Sequence, residues 1–185
     1  MSVDTANLTQ GPATVYIGDF GATEPADSDV ATAPAASAWT DIGGTLGGTT
    51  ITVARQYAVL NVDQVVDEAE RRLTGRTVTV ATQMAEPTLD NLKNALNGGV
   101  SASGTGFKSY EPSDDTSSTQ PTYKALIIDG FGPSGKRRRV IVRKVLSVGD
   151  VSAVDSKTDQ KVFAVSFAGH YVSSTIKPFK KVDAT

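Results

Sequence analysis

Gly130-Phe131-Gly132-Pro133-Ser134-Gly135 has the GxGxxG spacing with which backbone amides cradle a pyrophosphate, and Gly130 to Lys136 also begins a GxxxxGK phosphate loop. Both chemistries need the loop to open a helix whose N-terminus holds the phosphate. The residues that follow, Lys136-Arg137-Arg138-Arg139-Val140-Ile141-Val142, are β-branched and strand-like, and Arg137 stands where a magnesium-binding hydroxyl belongs. The pattern is therefore read as a hairpin turn. Lys136, Arg137, Arg138, Arg139, Arg143 and Lys144 form the one concentrated basic run, which could neutralise phosphates if it lay on one face. A strand splits those side chains between two faces, and few aromatic residues stand nearby for base stacking. A solvated hairpin edge or an acidic protein neighbour is the stronger reading.

His170 is the sole histidine and no nucleophile-elbow pattern is present, so it is read as a strand residue rather than a base. Carboxylates scatter as Asp27/Asp29, Asp63/Asp67/Glu68/Glu70 and Asp114/Asp115, without the DxDxDG spacing of a calcium loop. Nothing selects a catalytic pair, a metal set or a cofactor cradle. The chain is expected not to be an enzyme and to need no cofactor.

The elements that must position these residues are mostly strands. The 185 residues suit one domain with extensions; 39% are hydrophobic, 21% charged, the formal net charge is -2, and no cysteine is present. No apolar run approaches the ~20 residues that span a bilayer, and Met1 to Asn7 lacks the basic and hydrophobic parts of a signal peptide, so an unsecreted chain without a membrane segment is expected.

Residues 1–12 read as an extended N-terminal arm, followed by a first strand at Thr14-Val15-Tyr16-Ile17-Gly18. Two segments, 21–37 and 98–121, are so rich in Ala, Ser, Thr, Gly and Asp that they read as long polar loops. Tyr57 to Val66 and Thr77 to Thr82 are β-rich, and Asp67 to Arg72 has a short helical turn as its rival reading. Pro87 suits the first position of a helix over about 87–97, with Gly98-Gly99 as its left-handed stop. Leu89, Leu92 and Leu96 then form a stripe expected to pack on the sheet. Strands are expected over Tyr123–Ile128, Arg137–Val148 and Lys161–Val172, the last with Phe163, Val165, Phe167 and Tyr171 on one core face. The fold class is mainly β (α+β), a sandwich or barrel with one flanking helix.

The order of several phrases carries more than any one motif. Val15-Tyr16-Ile17-Gly18 with Phe20-Gly21-Ala22-Thr23 comes first, then Trp39-Thr40-Asp41-Ile42-Gly43 and Asp63-Gln64. Leu73-Thr74-Gly75-Arg76 precedes a strand, and Ala85-Glu86-Pro87-Thr88-Leu89 opens a helix ending Asn94-Ala95-Leu96. Together they resemble the major tail proteins of long-tailed bacteriophages. The resemblance implies a virion tail-tube subunit made in the host cytoplasm, with six copies closing a ring and rings stacking into the conduit for DNA ejection. It implies tape-measure and tail-terminator proteins as partners and brings no catalytic residues.

A conduit should not hold its cargo, so DNA is expected to pass without specific binding and the arginine run to point away from the lumen. Arg137, Arg138 and Arg139 are then expected at contacts between subunits or rings, with Asp67, Glu68 and Glu70 as the opposite charges and Arg71 at the same interface. Two other classes remain open on the residues: a nucleic-acid-binding β-domain using the 136–144 hairpin, and a virion decoration or adhesin module of sandwich type.

Overall fold

The computed structural model describes residues 3–113 and 116–185; Asp114 and Asp115, one of the acidic clusters noted above, lie outside the described residues. In chain order the strands are β1 (Thr14–Asp19), β2 (Trp39–Asp41), β3 (Thr45–Leu60) and β4 (Glu70–Met84), followed by helix α1 (Leu89–Ala95). Then come β5 (Val100–Gly104), β6 (Phe107–Glu111), β7 (Lys124–Phe131), β8 (Arg137–Ser147), β9 (Phe163–Gly169) and β10 (Phe179–Asp183). No helix among the described residues is long and apolar enough to cross a membrane.

Eight strands make one antiparallel sheet in the order β2-β1-β7-β8-β9-β4-β3, with β10 beside β8. One edge of β8 is taken by β7; the other is shared, β10 pairing with Arg138–Val142 and β9 with Val145–Ser147. Only three rows join β8 to β9, so the sheet folds over at that seam and sets β4 and β9 against β1, β7 and β8. Alternate residues of these strands enclose one core: Val15 and Ile17, Leu126 and Ile128, Val140 and Val142, Val78 and Val80, and Phe163, Val165 and Phe167. The chain is thus mainly β, a sandwich-like antiparallel fold flanked by a single α-helix.

The period-two expectation for the last core strand holds for Phe163, Val165 and Phe167 but not for Tyr171, which is exposed. Alternation has meaning only while the strand lasts, and β9 ends at Gly169.

The helix is shorter and rotated relative to expectation. Thr88 is its N-cap, its hydroxyl accepting the Asn91 amide hydrogen at 3.1 Å, so Pro87 precedes the cap instead of opening the helix. Its stop is Asn97 at φ 60°, with the Gly98 amide donating to the Lys93 carbonyl at 3.0 Å, the bond that closes a Schellman motif. The face turned to the core is Asn91 and Ala95; Leu89 and Leu92 are half-buried and Leu96 is 43% exposed. The Asn91 amide group sets this rotation, donating to the carbonyls of Ile42 at 2.8 Å and Glu86 at 2.9 Å. A satisfied buried amide outweighs one leucine at the helix end.

Segment 98–121 is only partly a loop: β5 and β6 form a hairpin through Gly106 at φ 83°, and the Tyr110 hydroxyl ties it to the helix end by donating to the Gly98 carbonyl at 2.8 Å.

Candidate assembly interface

The glycine pattern that invited a phosphate is the turn between β7 and β8. Ser134 and Gly135 adopt φ 58° and 66°, and the Gly132 amide donates across the turn to the Lys136 carbonyl at 2.7 Å. That amide closes a hairpin and is not free for an anion. His170 lies just past β9, its backbone amide bonded to the Lys144 carbonyl and its ring edge-on to Tyr123 at 5.2 Å. Among the described residues no three His, Asp or Glu side chains gather as a metal set.

The basic run has three different fates. Arg137 is exposed, its guanidinium 5.3 Å from the Phe131 ring centre. Arg138 forks onto Asp183 of β10 at 2.5 and 2.7 Å, and this charge-assisted bond holds the Asp183 carboxyl below the usual carboxylate range. Arg139, expected at a contact between subunits, is instead 1% exposed in the subunit's own interior. It pairs bidentately with Asp129, its direct neighbour across the β7–β8 ladder, at 2.5 and 2.7 Å. Its remaining N–H groups donate to the backbone carbonyls of Asp29 at 3.3 Å and Thr32 at 2.6 Å.

Those two carbonyls belong to the segment expected to be a loose polar loop. Residues 21–38 instead lie as a strap over the outward face of β7 and β8, above a second core of Trp39, Ala125, Ile127 and Ile141. Glu24 pairs with Arg143, Asp27 with Lys180, and the Trp39 indole N–H donates to the Thr23 carbonyl at 2.9 Å. Gly18 makes the tryptophan's place on β1: a Cβ there would come within 2.7 Å of the Ala38 carbonyl and 2.9 Å of the indole ring. Burying a charge is costly unless it is paired, and here the strap completes the pairing that Asp129 begins for Arg139 and supplies Glu24 to Arg143.

The acidic residues named with the arginines sit elsewhere. Strands β3 and β4 pair along their whole length, but β4 meets β9 only from Val78 to Met84. From Ala54/Thr77 to Leu60/Glu70 the hairpin is a two-stranded ribbon with a bulge at Thr74 and, among the described residues, no third strand; it is roughly 23 Å long at about 3.3 Å per residue. Its turn carries Asp63, Asp67 and Glu68, with Glu70 and Arg71 beginning β4. Glu68 is paired with Arg71, which holds its carboxyl below the usual range, and among the described residues no ion pair joins this set to Arg137, Arg138 or Arg139. The helical alternative for Asp67–Arg72 gives way to a turn leading into strand.

The ribbon's most unusual property was not expected from the sequence: it is apolar and naked. Val53, Tyr57, Val59, Leu60, Val62, Val65, Val66 and Leu73 are all exposed. An isolated two-stranded hairpin is marginal in water, and the outer edge of β3 presents unpaired backbone groups along 16 residues. The physical signal lay in the even distribution of apolar and polar residues over both faces of 53–60 and 70–77, which leaves no face for the subunit's own core. This arrangement has no obvious chemistry of its own, but it is suited to binding another protein surface. No family model matches this chain, and no curated protein does.

Proposed function

We propose that this chain is a structural subunit that assembles with copies of itself, closing rings that stack as the tail tube of a long-tailed bacteriophage and conduct DNA without binding it specifically. The observation that carries the reading is the free β3–β4 ribbon, whose exposed apolar side chains and open strand edge need a partner to bury them. The mainly β architecture with one flanking helix agrees with the resemblance of the 11–99 phrases. A ring of heterologous contacts closes when its rotation fits, and stacked rings propagate as a tube. Tape-measure and tail-terminator proteins are the partners this reading entails, and the virion is its location.

The nucleic-acid reading is weakened, because Arg138, Arg139 and Arg143 of the basic run are engaged by Asp183, Asp129 and Glu24. Negative-stain electron microscopy of concentrated protein tests the proposal. Rings or hollow filaments are expected; a stable monomer at every concentration would instead favour a decoration or adhesin module. Retention on DNA at low salt by the monomer would restore the nucleic-acid reading.

A further inference from the structure

We infer that the ribbon carries both halves of a contact between copies: the acidic, valine-bearing turn of one chain docks on the Arg55/Arg76 face of the next. This rests on the assembly reading above and names the surfaces through which it would act. Arg55 and Arg76 are direct cross-strand partners, both exposed. Like charges set directly opposite weaken a hairpin, and among the described residues neither arginine has a carboxylate within ion-pair distance. The ribbon therefore holds an uncompensated cationic pair at mid-length. On β3 the strand period puts Val53 and Tyr57 on the same face as Arg55, one to either side of it, and the bulge at Thr74 sets Leu73 opposite Tyr57; all three side chains are exposed.

The turn offers the complement. Val62, Val65 and Val66 are exposed there, and Asp63 and Asp67 have no cation within ion-pair distance among the described residues. Two carboxylates with an apolar cluster thus match two guanidiniums beside an apolar row. The chain's own turn cannot make the contact, because cross-strand pairing from Gln56/Gly75 to Leu60/Glu70, with one bulge at Thr74, holds it away from Arg55. Only a second molecule can. Turn and arginine face are different surfaces, so the contact is heterologous and propagates from copy to copy instead of closing a two-fold pair. Arginines beside a tyrosine could also hold a nucleic-acid strand, but the matching acidic turn in the same chain and the net charge of -2 favour a second copy.

A charge swap tests this. Arg55→Glu/Arg76→Glu and Asp63→Lys/Asp67→Lys are each made in the full chain, with circular dichroism and thermal melting to confirm the fold, and assembly is followed by sedimentation and electron microscopy. Each variant alone should need a roughly tenfold or higher concentration to assemble, since like charges then face each other. An equal mixture of the two should assemble again, because every turn finds an oppositely charged face. Unchanged assembly of either variant, or loss without rescue in the mixture, would overturn the contact while leaving assembly itself standing. A wild-type chain that never assembles would instead overturn the reading beneath it. Wild-type binding to single-stranded DNA that the arginine variant loses, with assembly intact, would assign the pair to nucleic acid.

Discussion

Residues 21–38 contain one short 3-10 turn at Asp27–Asp29 and no strand, yet Arg139, Arg143 and Lys180 fix them on the sheet. The distal β3–β4 ribbon is built on a cross-strand ladder broken by a single bulge at Thr74, yet its side chains meet little beyond the ladder itself. The contrast separates two properties that are easily merged, regular structure and structural support. The strap is irregular but anchored by groups more than 100 residues away along the chain, whereas the ribbon is regular but supported only by its own two strands. Local hydrogen bonding makes an element; long-range burial makes it part of a core.

The sharpest way to break the contrast is to release the strap. Arg139→Ala leaves the buried Asp129 carboxylate uncompensated and frees the Asp29 and Thr32 carbonyls. We expect a loss of about 3–5 kcal/mol in denaturant unfolding, with new protease cleavage between residues 21 and 38 and red-shifted Trp39 emission. Replacing both partners, Arg139→Met with Asp129→Leu, should recover much of the stability but not the protection of the strap. If the double variant protects the strap as well as wild type, the ion pair is not its fastening.

A smaller effect concerns β10, which the strap also touches through Lys180. The Arg138 fork depresses the Asp183 carboxyl, so its contribution is present above the ordinary carboxylate range and is lost as pH falls through the lowered native value. Hydrogen-exchange protection at Phe179–Asp183, taken relative to the intrinsic exchange rate at each pH, should therefore fall on going from neutral pH to about pH 3, more than that of the core strand β7 does. Equal loss of protection in both would mean that β10 has no separate clasp.

The smallest expected effect lies on the ribbon. Leu73→Ser should change the unfolding free energy of the subunit by under about 0.5 kcal/mol, because Leu73 is already half exposed. Ile127→Ala, under the strap, should cost about 2–5 kcal/mol. The order reverses if assembly is the measurement, where Leu73→Ser should be the more harmful. Similar unfolding losses for both variants would show that the ribbon is supported within the subunit after all.

Elements whose signal lies in their own local pattern were readable in advance. The strands at Val15–Gly18 and Phe163–Phe167 follow from period-two alternation, and the β7–β8 turn from glycines lacking a following helix. Arg139 was misplaced because its sequence neighbours are arginines, and a charge run ordinarily faces water. The missing step was the ladder register: the turn at 132–136 sets Asp129 opposite Arg139, which converts a surface charge into an interior pair. The strap was unreadable for the same reason at longer range, since the cations that hold it, Arg139, Arg143 and Lys180, lie on β8 and β10. Of the leucine stripe Leu92 packs against the core, whereas Leu96 is exposed because one buried asparagine, Asn91, fixes the helix rotation. The ribbon's strands were foreseen, but their lack of cover depends on where β9 stops pairing with β4.

The end of α1 has a further consequence, in chemical ageing. Asn97 precedes a glycine, the setting in which an asparagine amide most readily cyclises onto the next backbone nitrogen and expels ammonia. Here the side-chain amide donates to the Ser147 carbonyl and accepts the Ser147 N–H, both at 2.7 Å, while the Gly98 nitrogen donates to Lys93. Electrophile and attacking nitrogen are thus both held out of the cyclic geometry as long as the helix end stays seated on β8. Deamidation at Asn97 should accumulate only as fast as that corner opens, so the mass of an aged sample would record its opening rate.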